Sequence, residues 1–226
     1  MQHINEVMEN IVKRATIYDR HIPLKNFFTD LSGKIEYTLN SLWHRDDELK
    51  TYSDYTLAVG CSHTFGIGAE TPWPKLIDNC YNAGIPGATV HDMCDVAMAI
   101  YKDNPYKRVL MFAPHGERFL VSDKTTDGKS ITLALMPNST WPDATQYDVL
   151  DTTTKMLYTN RSIESFKYFC KVNDIEYQIV CYTSMRFLRK YKHMILDQGT
   201  DGVHYGDKTQ ENFAGLFNVT QPKNRI

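Results

Sequence analysis

The sequence predicts an α/β fold of three layers (α/β/α), in which helices cover both faces of a doubly wound, mostly parallel sheet. Two observations support this prediction. From residue 55 onwards, short apolar runs alternate with longer segments whose apolar residues recur at helical spacing, and such alternation is typical of parallel strands joined by crossover helices. The run 108–113 is continuously apolar after its first residue, which is typical of a strand buried on both faces.

The elements of this pattern follow one another in a regular order, separated by turn residues. The predicted strands are 55–59, 80–83, 108–113 and 175–182. The predicted helices are 73–79, 90–101, 162–172 and 208–217. For the first of them, Pro72 or Pro74 is the start signal. A doubly wound sheet of this flavodoxin-like type binds its ligands at the carboxyl ends of the strands.

Two parts of the chain lie outside this alternation. We expect residues 1–50 to form an N-terminal extension packed on the main domain, 51–226. Within this extension the sequence predicts a helix over 4–15 and an edge strand or hairpin arm over 34–43. Within the main domain, residues 119–157 are rich in turn signals, and 130–136 predicts one arm of a hairpin. A loop-rich insertion of this length is often a lid or a binding surface.

Composition excludes several classes of protein. The chain has 226 residues, of which 42% are hydrophobic, and its 25 basic and 27 acidic residues create no field that would attract nucleic acid. Its five cysteines fit no disulfide or metal spacing, which favours buried thiols in a reducing compartment. The first residues lack the apolar core of a signal peptide, and no apolar run reaches the roughly 18 residues of a membrane span. We therefore expect a cytoplasmic protein with no membrane partner.

Two distant segments carry residues suited to nucleophilic chemistry. Ser62 lies in the segment 60–66, Gly-Cys-Ser-His-Thr-Phe-Gly, directly after the first predicted strand. A serine on such a turn can be an exposed nucleophile when a base takes its proton. His204 and Asp201, in the segment Asp-Gly-Val-His, supply a base and a carboxylate to orient it. Taken singly, a serine in this position is more often a helix cap than a nucleophile, and the His204 segment is more often a turn with a surface histidine.

A third segment, 82–87 (Asn-Ala-Gly-Ile-Pro-Gly), follows the second predicted strand. Gly84 there either lets the backbone approach a ligand closely or belongs to an ordinary tight turn.

In this order, the three segments resemble the SGNH (GDSL-like) hydrolase superfamily over about residues 55–217, with 119–157 unmatched. The resemblance implies Ser62 as the nucleophile, His204 as the base and Asp201 as the group that orients His204. It also implies that the N–H groups of Ser62 and Gly84 hold the oxyanion. Cys61 stands where the family usually has aspartate.

The third strand is not followed by the Gly-x-Asn-Asp segment of the family, since residues 114–118 read Pro-His-Gly-Glu-Arg. His115 falls nearest to the missing asparagine and could donate an N–H to the oxyanion, while Arg118 could meet an anionic group of the substrate. Loss of one oxyanion donor typically costs about 100-fold in rate.

The function that the resemblance implies is that of a serine esterase or acyl hydrolase acting on a small-molecule or carbohydrate ester, with sugar O-acetyl groups as the first substrate class. Trp141 of the insertion could stack on a sugar. The alternative is a catalytically weak or inactive module of the same fold, for example a virion or assembly component. The chain is also similar to proteins encoded by tailed phages, and a phage-encoded protein would lie in the host cytoplasm or the virion.

A thiol enzyme with Cys61 activated by His63 is a third hypothesis. No cofactor is expected, and dinucleotide binding in particular is not, because no G-x-G-x-x-G opens the first helix of the alternating region. No metal site is expected either, because the eight histidines form no pair with ligand spacing.

Overall fold

The computed structural model describes residues 1–18, 27–29, 32–114, 119–124, 130–135, 152–181 and 190–218. In chain order, the described helices and strands are α1 (Gln2–Tyr18), β1 (Phe27–Thr29), β2 (Glu36–Thr38), β3 (Thr56–Gly60), α2 (Ser62–Phe65), β4 (Cys80–Gly84), α3 (Val90–Asp103), β5 (Arg108–Ala113), β6 (Phe119–Lys124), β7 (Ser130–Leu135), α4 (Thr152–Val172), β8 (Glu176–Cys181) and α5 (Asp207–Asn218).

A four-stranded parallel sheet forms the centre of the molecule, with the strand order β4-β3-β5-β8. All four strands coincide with predicted ones to within two residues. Gly60 at the end of β3 lies opposite Gly84 of β4 and Phe112 of β5. The strand order reverses between β3 and β5, and in doubly wound sheets the ligand crevice opens at such a reversal.

Helices cover both faces of the sheet, as the sequence predicts. On one face α3 and α4 pack beside each other, and α1 packs on α3. On the other face, α5 lies with a short 3-10 turn, Trp73–Leu76. There the Phe112 and Phe213 rings lie 4.7 Å apart, and Trp73 stacks on Phe217 at 4.5 Å. The three-layer α/β/α prediction is therefore confirmed.

Local sequence signals explain where α3 begins. The Thr89 hydroxyl accepts the N–H of Asp92 at 3.2 Å, while the Asp92 carboxylate accepts the N–H of Thr89 at 2.9 Å. This reciprocal capping satisfies two amides that the first turn of a helix leaves unpaired.

Two helix predictions differ from the structure. The predicted helix 73–79 is only the 3-10 turn Trp73–Leu76, because the backbone becomes extended at Ile77 and Asn79 adopts a left-handed φ of 47°. Helix α4 begins at Thr152 rather than at 162, so the end of the predicted insertion is helical. In its early turns the apolar residues Met156, Leu157 and Tyr158 are consecutive and exposed. The sequence therefore has no apolar stripe at helical spacing there that would predict a helix.

Two antiparallel hairpins accompany the main sheet. β1 pairs with β2, and β6 pairs with β7. Both predicted hairpin arms, in 34–43 and in 130–136, are thus confirmed. The rest of the predicted insertion up to residue 151 lies outside the described residues.

The segment before β3 covers the outer edge of β4. The Asp46 side chain is fully buried there and accepts the Asn82 N–H at 2.6 Å, the Tyr52 hydroxyl at 2.6 Å and the Lys75 ammonium. Because an uncovered edge strand can pair with another chain, this carboxylate protects β4 as well as fixing the segment.

All five cysteines are free thiols, and Cys61, Cys80, Cys94 and Cys170 are buried. Among the described ranges, no helix combines the length and the apolar character that crossing a bilayer requires.

Candidate active site

Ser62 lies at the carboxyl end of β3, where the sheet order reverses. It is the first residue of the short helix α2, in which the Cys61 carbonyl accepts the N–H groups of Thr64 and Phe65 at 3.0 and 2.9 Å. The helix ends at Gly66, whose left-handed φ of 83° few other residues adopt. The Ser62 side chain is partly exposed, at the end of the sheet where the topology predicts a ligand crevice.

Two glycines let α2 lie directly on the strand ends. A Cβ atom at Gly60 would stand 1.8 Å from Thr64 Oγ1, and one at Gly84 would stand 2.3 Å from the Phe65 nitrogen. Neither position therefore accepts a larger residue without moving the helix that carries Ser62. The close approach that Gly84 permits is an approach to this helix.

Asp201 and His204 lie at the tip of a narrow loop that precedes α5. An antiparallel bridge between Gln198 and Tyr205 closes the loop, and the Gly199 N–H donates to the His204 carbonyl at 2.8 Å. At the base, Asp197 accepts the hydroxyl of Thr209 at 2.7 Å and its N–H at 2.9 Å. These contacts fix the tip relative to the first turn of α5.

The Asp201 carboxylate accepts three hydrogen bonds from its own loop. Its Oδ2 accepts His204 Nδ1 at 2.6 Å, and its Oδ1 accepts the N–H groups of Val203 and His204, each at 3.0 Å. Although burial opposes ionisation of Asp201, the hydrogen bonds from His204 and Val203 hold its pKa below the usual range. A fixed negative charge thus orients the His204 ring and leaves Nε2 as the nitrogen that can take a proton.

The two segments meet on the same rim of the sheet. His63, the neighbour of Ser62, has its ring 5.3 Å from that of His204 and stacks on Tyr205 at 4.5 Å. The Thr200 N–H donates to the Gly68 carbonyl at 2.9 Å. Ser62 and His204 are both described residues, and no hydrogen bond joins them; Ser62 Oγ instead lies 3.9 Å from Cys61 Sγ. Hydrogen bonds between nucleophile and base often form only with substrate in place.

The predicted oxyanion donors differ in their hydrogen bonding. Among the described residues, the Ser62 amide has no acceptor. The Gly84 amide, in contrast, already donates to Asn82 Oδ1 at 2.9 Å, so it would have to exchange that partner for an oxyanion. Gly87, which the sequence analysis does not single out, lies on the loop after β4 and has a φ of 78°. In the described part of the chain its amide N–H likewise has no acceptor. The second glycine of the segment 82–87 was the available signal.

The remaining predicted site residues stay predictions. His115, Arg118 and Trp141 lie outside the described residues. Cys61 is 0% exposed, so its thiol does not face a substrate, which argues against the thiol-enzyme hypothesis.

Neither the family models nor the curated proteins match this sequence. Six chains of solved structures match it. One of them is a proposed lipolytic protein of the G-D-S-L family from Desulfitobacterium hafniense DCB-2, with 16% sequence identity and a TM-score of 0.40, over 73% of this chain and 97% of that chain. The fold assignment rests on the strand order and layers described above, and this distant similarity adds no argument about chemistry.

Proposed function

We propose that this protein is a serine hydrolase that cleaves carboxylic esters, with Ser62 as nucleophile, His204 as general base and Asp201 as the residue that orients His204. One observation supports the proposal above all. The Asp201–His204 pair, joined at 2.6 Å, lies on a loop that contacts the turn carrying Ser62. This contact supports the proposal, because a serine hydrolase needs these three residue types together and folds of this type bind ligands at the carboxyl ends of their strands.

In the proposed reaction, His204 Nε2 takes the proton of the Ser62 hydroxyl while Oγ forms a bond to the acyl carbon. The carbonyl electron pair moves onto oxygen and returns as the ester C–O bond breaks. The imidazolium then gives its proton to the leaving alcohol. Water repeats the sequence on the acyl-enzyme, releasing the acid and restoring the hydroxyl. Throughout, the ionised Asp201 stabilises the imidazolium.

The oxyanion would be held by the Ser62 amide first. Gly84 can contribute only after exchanging Asn82, and the Gly87 amide is a second candidate on the neighbouring loop. His115 is proposed as a further donor. Because each missing donor costs about 100-fold in rate, we expect a slow hydrolase.

The proposed substrate class is an O-acetylated carbohydrate or a related small ester, as the sequence resemblance implies. Arg118 would meet an anionic group of the substrate, and Trp141 would stack on a sugar ring. Five free cysteines are typical of a reducing compartment, so we place the reaction in the cytoplasm.

The alternative is a non-catalytic module of the same fold, as in a virion or assembly. Two observations favour it: residues 114–118 contain no asparagine, and the Ser62 hydroxyl makes no hydrogen bond to His204, although both residues are described. A phage-encoded protein of this kind would lie in the host cytoplasm or the virion.

Hydrolysis of p-nitrophenyl acetate separates the two functions. The enzyme is expected to turn over this ester, and Ser62→Ala and His204→Ala should fall to the uncatalysed rate. Ser53→Ala and His193→Ala, which change exposed residues, serve as matched controls. A rate that is unchanged in Ser62→Ala or in His204→Ala would contradict the proposal.

A further inference from the structure

The loop 66–70, which follows α2, is bound on one side by a side chain from the N-terminal extension. Arg45 Nη1 donates to the carbonyls of Gly66 and Ala69 at 2.8 and 3.0 Å, and Nη2 donates to the carbonyl of Glu70 at 2.5 Å. A single guanidinium thus satisfies three carbonyls of one loop. Its planar fork makes this possible, since the five N–H donors of arginine point in fixed directions.

Tyr37 binds the same loop beside Arg45. Its ring is completely buried, and its hydroxyl oxygen accepts the Gly68 N–H at 2.7 Å. The Arg45 guanidinium lies 4.5 Å from the centre of the Tyr37 ring, within range of a cation–π interaction. Because the two side chains support each other, they fix the loop as a unit.

The opposite side of the loop contacts the turn that carries Asp201 and His204. The Gly68 carbonyl accepts the Thr200 N–H at 2.9 Å. A Cβ atom on Gly68 would stand 2.9 Å from Asp201 Oδ1 and 3.1 Å from the Gly199 Cα, so the two backbones are in direct contact. A shift of Gly68 toward this turn would therefore displace the Asp201 carboxylate, which the proposal assigns to orient His204.

The same loop is continuous with the turn that carries Ser62. The Ser62 carbonyl accepts the N–H of Gly66 at 2.9 Å and that of Ile67 at 3.0 Å. Loop 66–70 thus joins the nucleophile turn to the acid–base pair, and the extension holds it in place.

We propose that Tyr37 and Arg45 are positioning residues of the proposed hydrolase, on which this inference rests: they fix loop 66–70 and thereby the distance between Ser62 and the His204 imidazole. Neither side chain touches the reacting atoms. Their removal changes the alignment of the catalytic groups, to which reaction rates are sensitive, since a misplacement of about 1 Å can cost about 100-fold.

The test compares two substitutions that each remove one hydrogen-bonded tyrosine hydroxyl. Tyr37→Phe removes the acceptor of Gly68, whereas Tyr52→Phe removes a hydroxyl that donates to Asp46 and does not contact the loop. We expect Tyr37→Phe to lower kcat for p-nitrophenyl acetate by about tenfold to 100-fold with KM changed by less than about twofold, while Tyr52→Phe keeps the wild-type kcat. Arg45→Lys, which keeps the charge but loses the fork, should lose less activity than Arg45→Met.

A second readout does not depend on catalysis. The Nδ1 proton of His204, held by Asp201, should give a downfield proton resonance in NMR spectra of the wild-type protein and of Tyr52→Phe. In Tyr37→Phe and Arg45→Met this resonance should broaden or vanish. Equal kcat and an unchanged resonance in all variants would overturn the inference. If the wild-type protein shows the resonance but hydrolyses no ester, the proposed function is contradicted. In that case, loss of the resonance in Tyr37→Phe but not in Tyr52→Phe would still support the positioning role.

Discussion

Replacement of His44 by glutamine should reduce the loss in the free energy of unfolding that this protein undergoes when the pH falls. His44 is completely buried, with Nδ1 2.7 Å from the Tyr81 hydroxyl, and its Nε2 has no hydrogen-bond partner among the described residues. Because burial disfavours the charged imidazolium, it lowers the pKa of His44 to about 3.

The size and sign of the effect follow from this pKa. An unfolded histidine has a pKa of about 6.5, so between pH 6.5 and 3 the unfolded chain binds a proton that the folded chain does not. The free energy of unfolding therefore falls as the pH falls through this window. At pH 5, 1.5 units below the unfolded value, the loss is about 2 kcal/mol at roughly 1.36 kcal/mol per unit. It approaches about 5 kcal/mol at pH 3.

Urea denaturation at pH 8 and pH 5 measures this loss. His44→Gln should lose about 2 kcal/mol less than the wild type between the two pH values, whatever its stability at pH 8. His193→Gln, which changes an exposed histidine, should keep the wild-type loss. If His44→Gln and the wild type lost the same free energy, His44 would not be buried in its neutral form.

Three further substitutions, the first with a matched control, test the placement of the loops that carry the proposed site. Gly68→Ala should slow ester hydrolysis at least tenfold, because the added Cβ would press on Asp201. The control is Gly33→Ala: Gly33 has a similar φ of 70°, but its Cβ position is open, so this substitution should lower only the free energy of unfolding, by about 1–2 kcal/mol. Asp201→Asn should lower kcat about 1,000-fold or more with the circular dichroism spectrum unchanged, because an amide favours the wrong tautomer of His204; a retained rate would exclude the orienting role. Thr209→Val should lower the free energy of unfolding, measured by urea denaturation, by about 1–3 kcal/mol, because the buried hydroxyl accepts the N–H groups of Leu196 and Asp197. An unchanged free energy would show that these hydrogen bonds do not hold the loop that precedes α5.

The parts of this molecule that the sequence could predict are those encoded locally. After Arg108 the strand β5 is a continuous apolar run, and its neighbours alternate with amphipathic helices, so the layers and the parallel sheet follow from short segments. The pair of Asp201 and His204 is likewise local, because a three-residue spacing within one turn already brings carboxylate and imidazole together.

The support of the site could not be predicted, because it depends on distant contacts. Arg45 and its carbonyl acceptors are separated by 21 to 25 residues, and Tyr37 and Gly68 by 31. No periodicity or motif connects such positions. Gly84 shows the same limit: a glycine after a strand indicates close approach of another group, but only the fold reveals that this group is the backbone of α2.

The most direct test of the account is the reaction of the folded protein with a fluorophosphonate, followed by mass spectrometry of its peptides. The account predicts a covalent adduct on Ser62, absent in Ser62→Ala and formed about 1,000-fold more slowly in His204→Ala. An adduct on another residue, or none at all with a folded protein, would contradict the assignment of Ser62 as a nucleophile activated by His204.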